Sequence, residues 1–179
     1  MINIAVMGYG TVGSGVVEVI NTNGARINQR IGEELNIKYV LDMKDFPGDP
    51  VQDKIIHDFE TIVSDEEVQI VVEVMGGIEP AYTFVKRCLQ AGKSVATSNK
   101  ALVAKHGAEL LSIAAEHNIN FLFFILLNSS VFHINSVYKT VDLFFIIIMS
   151  PLIIIEMRAS ILRRVMCGNK WFCFSVKNR

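Results

Sequence analysis

The amino-terminal segment constrains the fold most, because an apolar run passes directly into a glycine-rich turn. Residues 2–7 read Ile-Asn-Ile-Ala-Val-Met, which predicts a buried strand. The turn that follows spans residues 8–13 and reads Gly-Tyr-Gly-Thr-Val-Gly. Apolar residues at helical spacing come next, namely Val12, Val16, Val17, Val19 and Ile20. Strand, glycine turn and helix in this order predict the start of a βαβ unit.

The three glycines of this turn have separate predicted roles. Gly8 permits a tight backbone turn, Gly10 lets the backbone approach a pyrophosphate, and Gly13 lets helix and strand pack closely. The free N–H groups at the start of the helix would then bind the phosphates. The alternative is a glycine turn that serves packing alone and binds nothing.

The rest of the first 123 residues alternates between strand and helix patterns. Strands are predicted at 37–41, 68–74, 94–97 and 119–123, and helices at 79–91 and 101–117. No element is predicted between residues 42 and 67. Glu73 is unusual, because it places a carboxylate inside an otherwise apolar strand. The alternation predicts an α/β domain with a Rossmann-like, doubly wound parallel sheet.

Asp42 ends the second predicted strand and leaves the choice of nucleotide open. Its carboxylate would accept hydrogen bonds from ribose hydroxyls, which favours NAD. However, Asp42 lies 29 residues after Gly13, whereas about 20 is usual for this acidic residue. Lys38 and Lys44 would instead meet the 2′-phosphate of NADP. A third interpretation is that Asp42 only begins a loop rich in turn-forming residues.

Composition limits the function further. The chain has 179 residues, a net charge of −1 and 51% apolar residues, which is typical of a globular domain and excludes disordered, collagen-like and coiled-coil chains. It lacks the net positive charge of a nucleic-acid-binding protein, so a small-molecule partner is expected. Three cysteines without a CxxC pair predict neither disulfides nor a metal site. The start has no secretory pattern, and a cytoplasmic location is expected.

The chain changes character after residue 123. Residues 1–123 contain 11 of the 12 glycines and carry a net charge of −6, whereas residues 124–179 carry +5. We therefore predict a nucleotide-binding domain at 1–123 and a divergent or frameshift-like tail at 124–179. The longest apolar stretch of the tail, residues 143–155, has 13 residues, whereas a spanning helix needs about 20. Membrane association is not expected, and residues 144–149 form a window prone to aggregation.

Four motifs, taken in order, resemble one known family. They are the glycine turn at 8–13, Glu-Val-Met-Gly-Gly at 73–77, Pro-Ala-Tyr at 80–82, and Ala-Thr-Ser-Asn-Lys-Ala-Leu-Val-Ala at 96–104. Together they resemble the NAD(P)-binding domain of homoserine dehydrogenase, over residues 1 to about 123. The resemblance implies NAD(P)-dependent interconversion of L-homoserine and L-aspartate 4-semialdehyde, a step toward threonine, methionine and isoleucine. Members of this family are oligomers.

The resemblance also implies a set of site residues. Lys100 matches the family's lysine that reaches cofactor and substrate, and it is the candidate catalytic residue. A cation in the first turn of a helix opposes the macrodipole, so a purely stabilising role explains Lys100 poorly; the alternative is a solvated lysine. Asn99 either contacts the cofactor or caps the helix. The cofactor-binding candidates are Gly8, Tyr9, Gly10, Thr11, Val12, Gly13, Asp42, Gly76, Gly77, Asn99 and Lys100.

The resemblance ends where the tail begins. In the family, the last strand continues into Glu-Ala-Ser, a glycine-rich turn and a substrate domain, whereas residues 124–128 read Phe-Ile-Leu-Leu-Asn. Lys139, Lys170 and Lys177 match no family motif, so none takes the role of the family's substrate-domain lysine. We therefore expect a truncated form with little or no activity. One alternative is an NAD(P)-binding module without catalysis. Another is a different Rossmann oxidoreductase or a membrane-associated fragment.

Overall fold

Strands and helices alternate along residues 1–123, which are the residues that the structure, a computed structural model, describes. The strands are β1 (Ile2–Met7), β2 (Leu35–Leu41), β3 (Ile55–Ile56), β4 (Val68–Glu73), β5 (Ser94–Thr97) and β6 (Phe121–Phe123). The helices are α1 (Thr11–Ile31), α2 (Glu60–Ser64), α3 (Ala81–Gln90) and α4 (Lys100–Glu116), with a 3-10 turn at Gln52–Lys54. The predictions made for residues 124–179, including the apolar stretch at 143–155, lie outside the described residues.

All six strands are parallel and lie in the order β3-β2-β1-β4-β5-β6. This is the predicted doubly wound α/β fold. The chain reverses its direction of progress across the sheet between β1 and β4, and the carboxyl ends of the strands are level there. Met7 pairs with Glu73, and Glu73 pairs with Thr97. Open α/β sheets bind ligands at such a switch point, outside the carboxyl ends of the strands.

Helices cover both faces of the sheet, and β1 shows how. Ile4 and Val6 belong to one apolar cluster with residues of α1 such as Val16. Ala5 and Met7 belong to a second cluster, which α3 and α4 cover from the other face. Because both faces are buried, every residue of β1 is apolar or hydrogen-bonded, and the strand reads as a continuous run without alternation.

The structure corrects the prediction in the segment between residues 42 and 67. The two residues of β3 pair with the end of β2 at Val40 and Leu41. The five residues of α2 follow, and buried Phe59 and Ile62 anchor them against the sheet. Both elements are too short to show a hydrophobic period, and tertiary pairing forms them.

Helix α3 is shorter at both ends than the helix predicted at residues 79–91. Gly92 follows its last residues in the left-handed region with φ +77°, as is common for a glycine that ends a helix. Pro80 was predicted in the first turn of α3, but it precedes the helix as its N-cap residue, so the helix begins at Ala81.

Within residues 1–123, no helix combines the length and the apolar character needed to cross a bilayer. In the same range, no three His, Cys, Asp or Glu side chains come close enough together to hold a metal ion.

Candidate functional site

The loops after β1 and β4 contact each other at the switch point. Gly8 donates its N–H to the carbonyl of Leu41 at 2.8 Å, which ties the glycine turn to the end of β2. Its φ of +101° is one that residues with a Cβ rarely adopt. A Cβ on Gly8 would also lie 3.1 Å from Cα of Met75. The predicted tight turn at Gly8 is therefore present.

The start of α1 is open toward solvent. Gly10 is the N-cap residue, no side chain caps this end, and no acidic residue stands in the first turn. Gly10 and Thr11 are exposed, and nothing lies within 4 Å of the position that a Cβ on Gly10 would take. The first N–H groups of a helix have no intrahelical partner, so this end has both the donors and the space for an anion.

Close packing of α1 on the sheet depends on Gly13. A Cβ at this position would lie 1.9 Å from the carbonyl oxygen of Gly8, a distance that no structure tolerates without moving backbone. The predicted close approach of helix and strand is thus confirmed. Gly8 and Gly13 shape the turn, whereas Gly10 borders open space.

Tyr9 belongs to the wall of the turn. Its N–H donates to Asp42 Oδ2 at 2.7 Å and its hydroxyl donates to Asp49 Oδ2 at 3.0 Å. Its ring makes an edge contact with Phe46, with centroids 4.8 Å apart. Burial, together with the bond to Asp49, raises the pKa of Tyr9 to about 12. Because its N–H and its hydroxyl proton are both engaged, Tyr9 shapes the turn and presents no free donor to a ligand.

Asp42 performs the turn role that was one of its three interpretations. Oδ1 accepts from the N–H of Lys44 at 3.0 Å, while Oδ2 accepts from Tyr9. The carboxylate thereby joins the loop after β2 to the glycine turn. A contact with a ribose stays a prediction, and it would use the remaining lone pairs of the same two oxygens.

The two lysines near Asp42 differ in availability. Lys38 Nζ lies 2.6 Å from Asp65 Oδ2 and 2.6 Å from Glu67 Oε2. The hydrogen bond to Asp65 contributes most to raising the pKa of Lys38, and the hydrogen bond to Glu67 raises it further. Lys44 is exposed, and its ammonium has no hydrogen bond or ion pair among residues 1–123. Of the two, Lys44 alone is free to meet a 2′-phosphate.

A buried series of hydrogen bonds joins the ends of β4 and β5 to the loops that follow them. Glu73, with 0% of its surface exposed, accepts from the N–H of Met75 at 2.9 Å and from the hydroxyl of Thr97. Thr97 Oγ1 in turn accepts from the N–H of Asn99 at 2.9 Å. Asn99 Nδ2 donates to the carbonyl of Gly77. Four strand and loop segments are thus joined through three side chains.

The start of α4 is closed by Asn99. Its Oδ1 accepts from the N–H of Leu102 at 3.1 Å, so the cap that was one of its two interpretations is present. Asn99 is 8% exposed, and both of its side-chain polar atoms have partners. Lys100 is the first residue of the helix, is exposed, and makes no hydrogen bond or ion pair within the described part of the chain.

The structure brings the predicted residues to one edge of the sheet. The segments that carry them follow β1, β2, β4 and β5, whose carboxyl ends are adjacent. Sequence reasoning missed the contributions of Asp49 and Thr97. The charge of Glu73 was a signal of the buried chain, whereas Thr97 gave none because a β-branched residue is ordinary in a strand.

A family model described as the NAD binding domain of homoserine dehydrogenase matches residues 8–124. Among curated proteins, homoserine dehydrogenase of Lactococcus lactis is 40% identical over 124 residues, which cover 66% of this chain and 29% of that protein. The enzyme of Helicobacter pylori is 39% identical over 122 residues, covering 67% and 28%. The chain thus spans less than a third of the length of these relatives.

Solved structures of homoserine dehydrogenases are also similar to this chain. Homoserine dehydrogenase of S. aureus superposes with a TM-score of 0.63 and 38% identity, over 68% of this chain and 32% of that one. A hyperthermophilic archaeal homoserine dehydrogenase mutant, solved in complex with NADPH, gives a TM-score of 0.56 and 29% identity, over 69% and 43%.

Proposed function

Since this chain belongs to the homoserine dehydrogenase family through its NAD-binding domain, we propose that it binds NAD or NADP at the carboxyl edge of its sheet. The pyrophosphate would lie at the start of α1. The two nucleotide halves would lie on either side, toward the end of β2 and toward the ends of β4 and β5.

The open amino end of α1 is the observation that carries this proposal. Gly10 has no atom within 4 Å of a Cβ position, and no side chain caps the helix. The unpartnered N–H groups and the positive end of the helix dipole favour a phosphate group there. The residues present therefore fit a dinucleotide, with the backbone of Gly10, Thr11 and Val12 as its phosphate ligands.

On the other side of the site, Gly76 is exposed and nothing lies within 4 Å of a Cβ at that position. This space would take the ribose of the nicotinamide half. Lys100 would place its free ammonium toward cofactor and substrate. When bound, the nicotinamide ring supplies or accepts a hydride. The ammonium of Lys100 would stabilise negative charge on the reacting molecules.

For the whole-protein reaction we propose the interconversion of L-homoserine and L-aspartate 4-semialdehyde, as in the relatives' family, which leads to threonine, methionine and isoleucine. For this chain alone we propose little or no turnover. The sequence of residues 124–179 contains no counterpart of the family's substrate-domain motifs. Loss of an acid–base group lowers the reaction rate about 10²- to 10⁴-fold, and loss of substrate positioning would lower the rate further.

A second candidate function is an NAD(P)-binding module without catalysis. The observation that favours it is the composition of the site itself. On the side of β4 and β5, the side chains of Glu73 and Asn99 are buried, and their polar atoms are already hydrogen-bonded to protein groups. Such side chains support the binding of a nucleotide and are not available for proton transfer to a substrate.

Two measurements on the purified full chain test these proposals. Titration with NADH and NADPH, followed by nicotinamide fluorescence, tests binding, and we expect a saturable signal with at least one of them. Homoserine-dependent reduction of NAD⁺ and NADP⁺ tests turnover, and we expect none above background. Absence of binding to both nucleotides would reject the proposed site, and clear turnover would reject the proposal that this chain alone is inactive.

A further inference from the structure

We propose that Glu73, Thr97 and Asn99 form a positioning chain, which holds the Gly77 turn against the first turn of α4. We further infer that this placement sets the affinity for the nicotinamide half of the dinucleotide and leaves the adenosine half unaffected. The second statement rests on the proposed function, whereas the first concerns the protein without ligand.

The hydrogen bonds of the positioning chain run from the end of β4 to the end of β5. Glu73 ends β4 and holds the N–H of Met75 at 2.9 Å, which sets the path toward the Gly76–Gly77 turn. Through the Thr97 hydroxyl the same carboxylate is joined to the end of β5. Thr97 then fixes the N–H of Asn99 at 2.9 Å. Every link is made by a side chain to a backbone group or to another buried side chain.

Asn99 closes the chain into a ring. Its Oδ1 caps α4 through Leu102, while its Nδ2 donates to the carbonyl of Gly77. The turn after β4 and the helix after β5 are therefore held by the two ends of one buried amide. Lys100 is the next residue, so its backbone position depends on the same contacts.

The burial of Glu73 argues that this arrangement has a specific role. A carboxylate with 0% exposure is costly to keep away from water, and an apolar residue at this point of the strand would avoid that cost. Within residues 1–123 no lysine, arginine or histidine pairs with it. Instead, Oε1 accepts from the N–H of Met75 in the loop after β4, and Oε2 accepts from the hydroxyl of Thr97, the last residue of β5.

The hydrogen-bonded ring lies in one half of the sheet, and we infer from this which half of the dinucleotide it affects. Folds of this type bind a dinucleotide through two mononucleotide-binding halves. The glycine turn and Asp42 belong to the half formed by β1, β2 and β3, while the ring lies entirely in the half formed by β4, β5 and β6. The geometry therefore assigns it to the nicotinamide half.

Three variants of the full chain separate positioning from general stability. Thr97→Val keeps the shape of the side chain and removes the hydroxyl, so Glu73 and the N–H of Asn99 each lose a partner. Thr97→Ser keeps the hydroxyl and serves as the rescue. Val95→Ala, in the same strand, removes buried apolar volume without touching the ring.

The first readout is amide hydrogen exchange of the protein without ligand. We expect Thr97→Val to speed exchange about fivefold in peptides covering residues 74–78 and 98–103, with residues 11–20 unchanged. Thr97→Ser should exchange as the wild type does. An exchange pattern of Thr97→Val that matches that of Val95→Ala, or that leaves both segments unchanged, would overturn the positioning chain.

The second readout compares whole and partial ligands. We expect Thr97→Val to weaken binding of NADH about fivefold while the Kd of ADP, which lacks the nicotinamide ring and its ribose, stays the same, and Thr97→Ser to restore NADH binding. Equal losses for NADH and ADP would overturn the assignment to the nicotinamide half. Failure of the wild type to bind any of NADH, NADPH and ADP would reject the proposed function and this assignment with it, whereas the exchange readout would still decide whether the positioning chain holds the two segments together.

Discussion

The amino ends of α1 and α4 lie at the same edge of one sheet, yet they are built differently. α1 begins at Gly10 with no side-chain cap and with open space around that glycine. α4 begins at Asn99, whose side chain caps the helix and also holds the Gly77 carbonyl. Both dipoles point their positive ends to the site, but of the two helices only α4 has a side-chain cap.

The two helix starts therefore differ in what they offer to the proposed ligand. At α1 the cost of unpaired N–H groups is offset by water or by a ligand. At α4 the side chain of Asn99 accepts from the N–H of Leu102, and the helix also contributes the position of Lys100. One end is suited to binding, and the other provides rigidity.

The largest expected effect is that of Gly13→Ala, because the new Cβ would meet the Gly8 carbonyl oxygen at 1.9 Å. We expect the free energy of unfolding to fall by roughly 3 kcal/mol or more, at the high end for overpacking. Urea denaturation of the full chain measures it. Gly15→Ala, with nothing within 4 Å of its Cβ position, is the control in the same helix and should be no less stable than the wild type. A small loss at Gly13 would contradict the close packing described.

Gly10→Ala tests the open end of α1. The residue has φ −78° and free space, so an alanine causes no strain and stability should change by less than about 0.5 kcal/mol. The methyl group would occupy the space assigned to the pyrophosphate, and the Kd of NADH or NADPH should rise roughly tenfold or more. Fluorescence titration measures the Kd. Unchanged affinity would place the phosphates elsewhere.

Asn99→Ala tests the closed end of α4. Loss of the cap and of the bond to Gly77 should lower the free energy of unfolding by about 1–2 kcal/mol. Asn99→Ser, which retains a capping oxygen and lacks the amide donor, should recover a large part of this loss. Thermal unfolding of the three proteins measures the order, and equal stability of the alanine variant and the wild type would contradict the role of the cap.

Lys100→Met separates binding from stability at the same end. Removing a cation from the first turn relieves an unfavourable interaction with the dipole, so stability should stay the same or rise by about 0.3 kcal/mol. Because the ammonium has no partner among the described residues, its loss should affect ligands only, and the Kd of NADPH should rise roughly two- to fivefold. Destabilisation by more than 1 kcal/mol would show a structural role instead. Lys105→Met, later in α4, is the control.

The smallest effect at neutral pH concerns Tyr9. Burial and then the bond to Asp49 raise its pKa from the ordinary value of 10.0 to about 12. The native state thus holds the phenolic proton more tightly than the unfolded chain, and this contribution is fully present below pH 10 and is lost as the pH rises through about 12. The difference in phenolate absorbance between wild type and Tyr9→Phe should have its midpoint near pH 12. A midpoint near pH 10 would contradict the buried position of the ring.

Sequence and structure agree where the signal is local. The strand at residues 2–7, the glycine turn and the helix after it follow from neighbouring residues, and so does the end of α3 at Gly92. They disagree at β3 and α2, which have two and five residues and exist through pairing with β2 and burial of Phe59 and Ile62. A period cannot be read from so few residues.

The candidate site divides in the same way. Local patterns predict which loops carry the candidate site, because glycines at set spacing after a strand restrict the backbone locally. The contacts of each side chain in those loops follow from the fold. Tyr9 is engaged with Asp49 across 40 positions, and Glu73 with Thr97 across 24. Such contacts depend on which strands become neighbours, and that follows from burial of the whole sheet between its helices, which no local pattern contains.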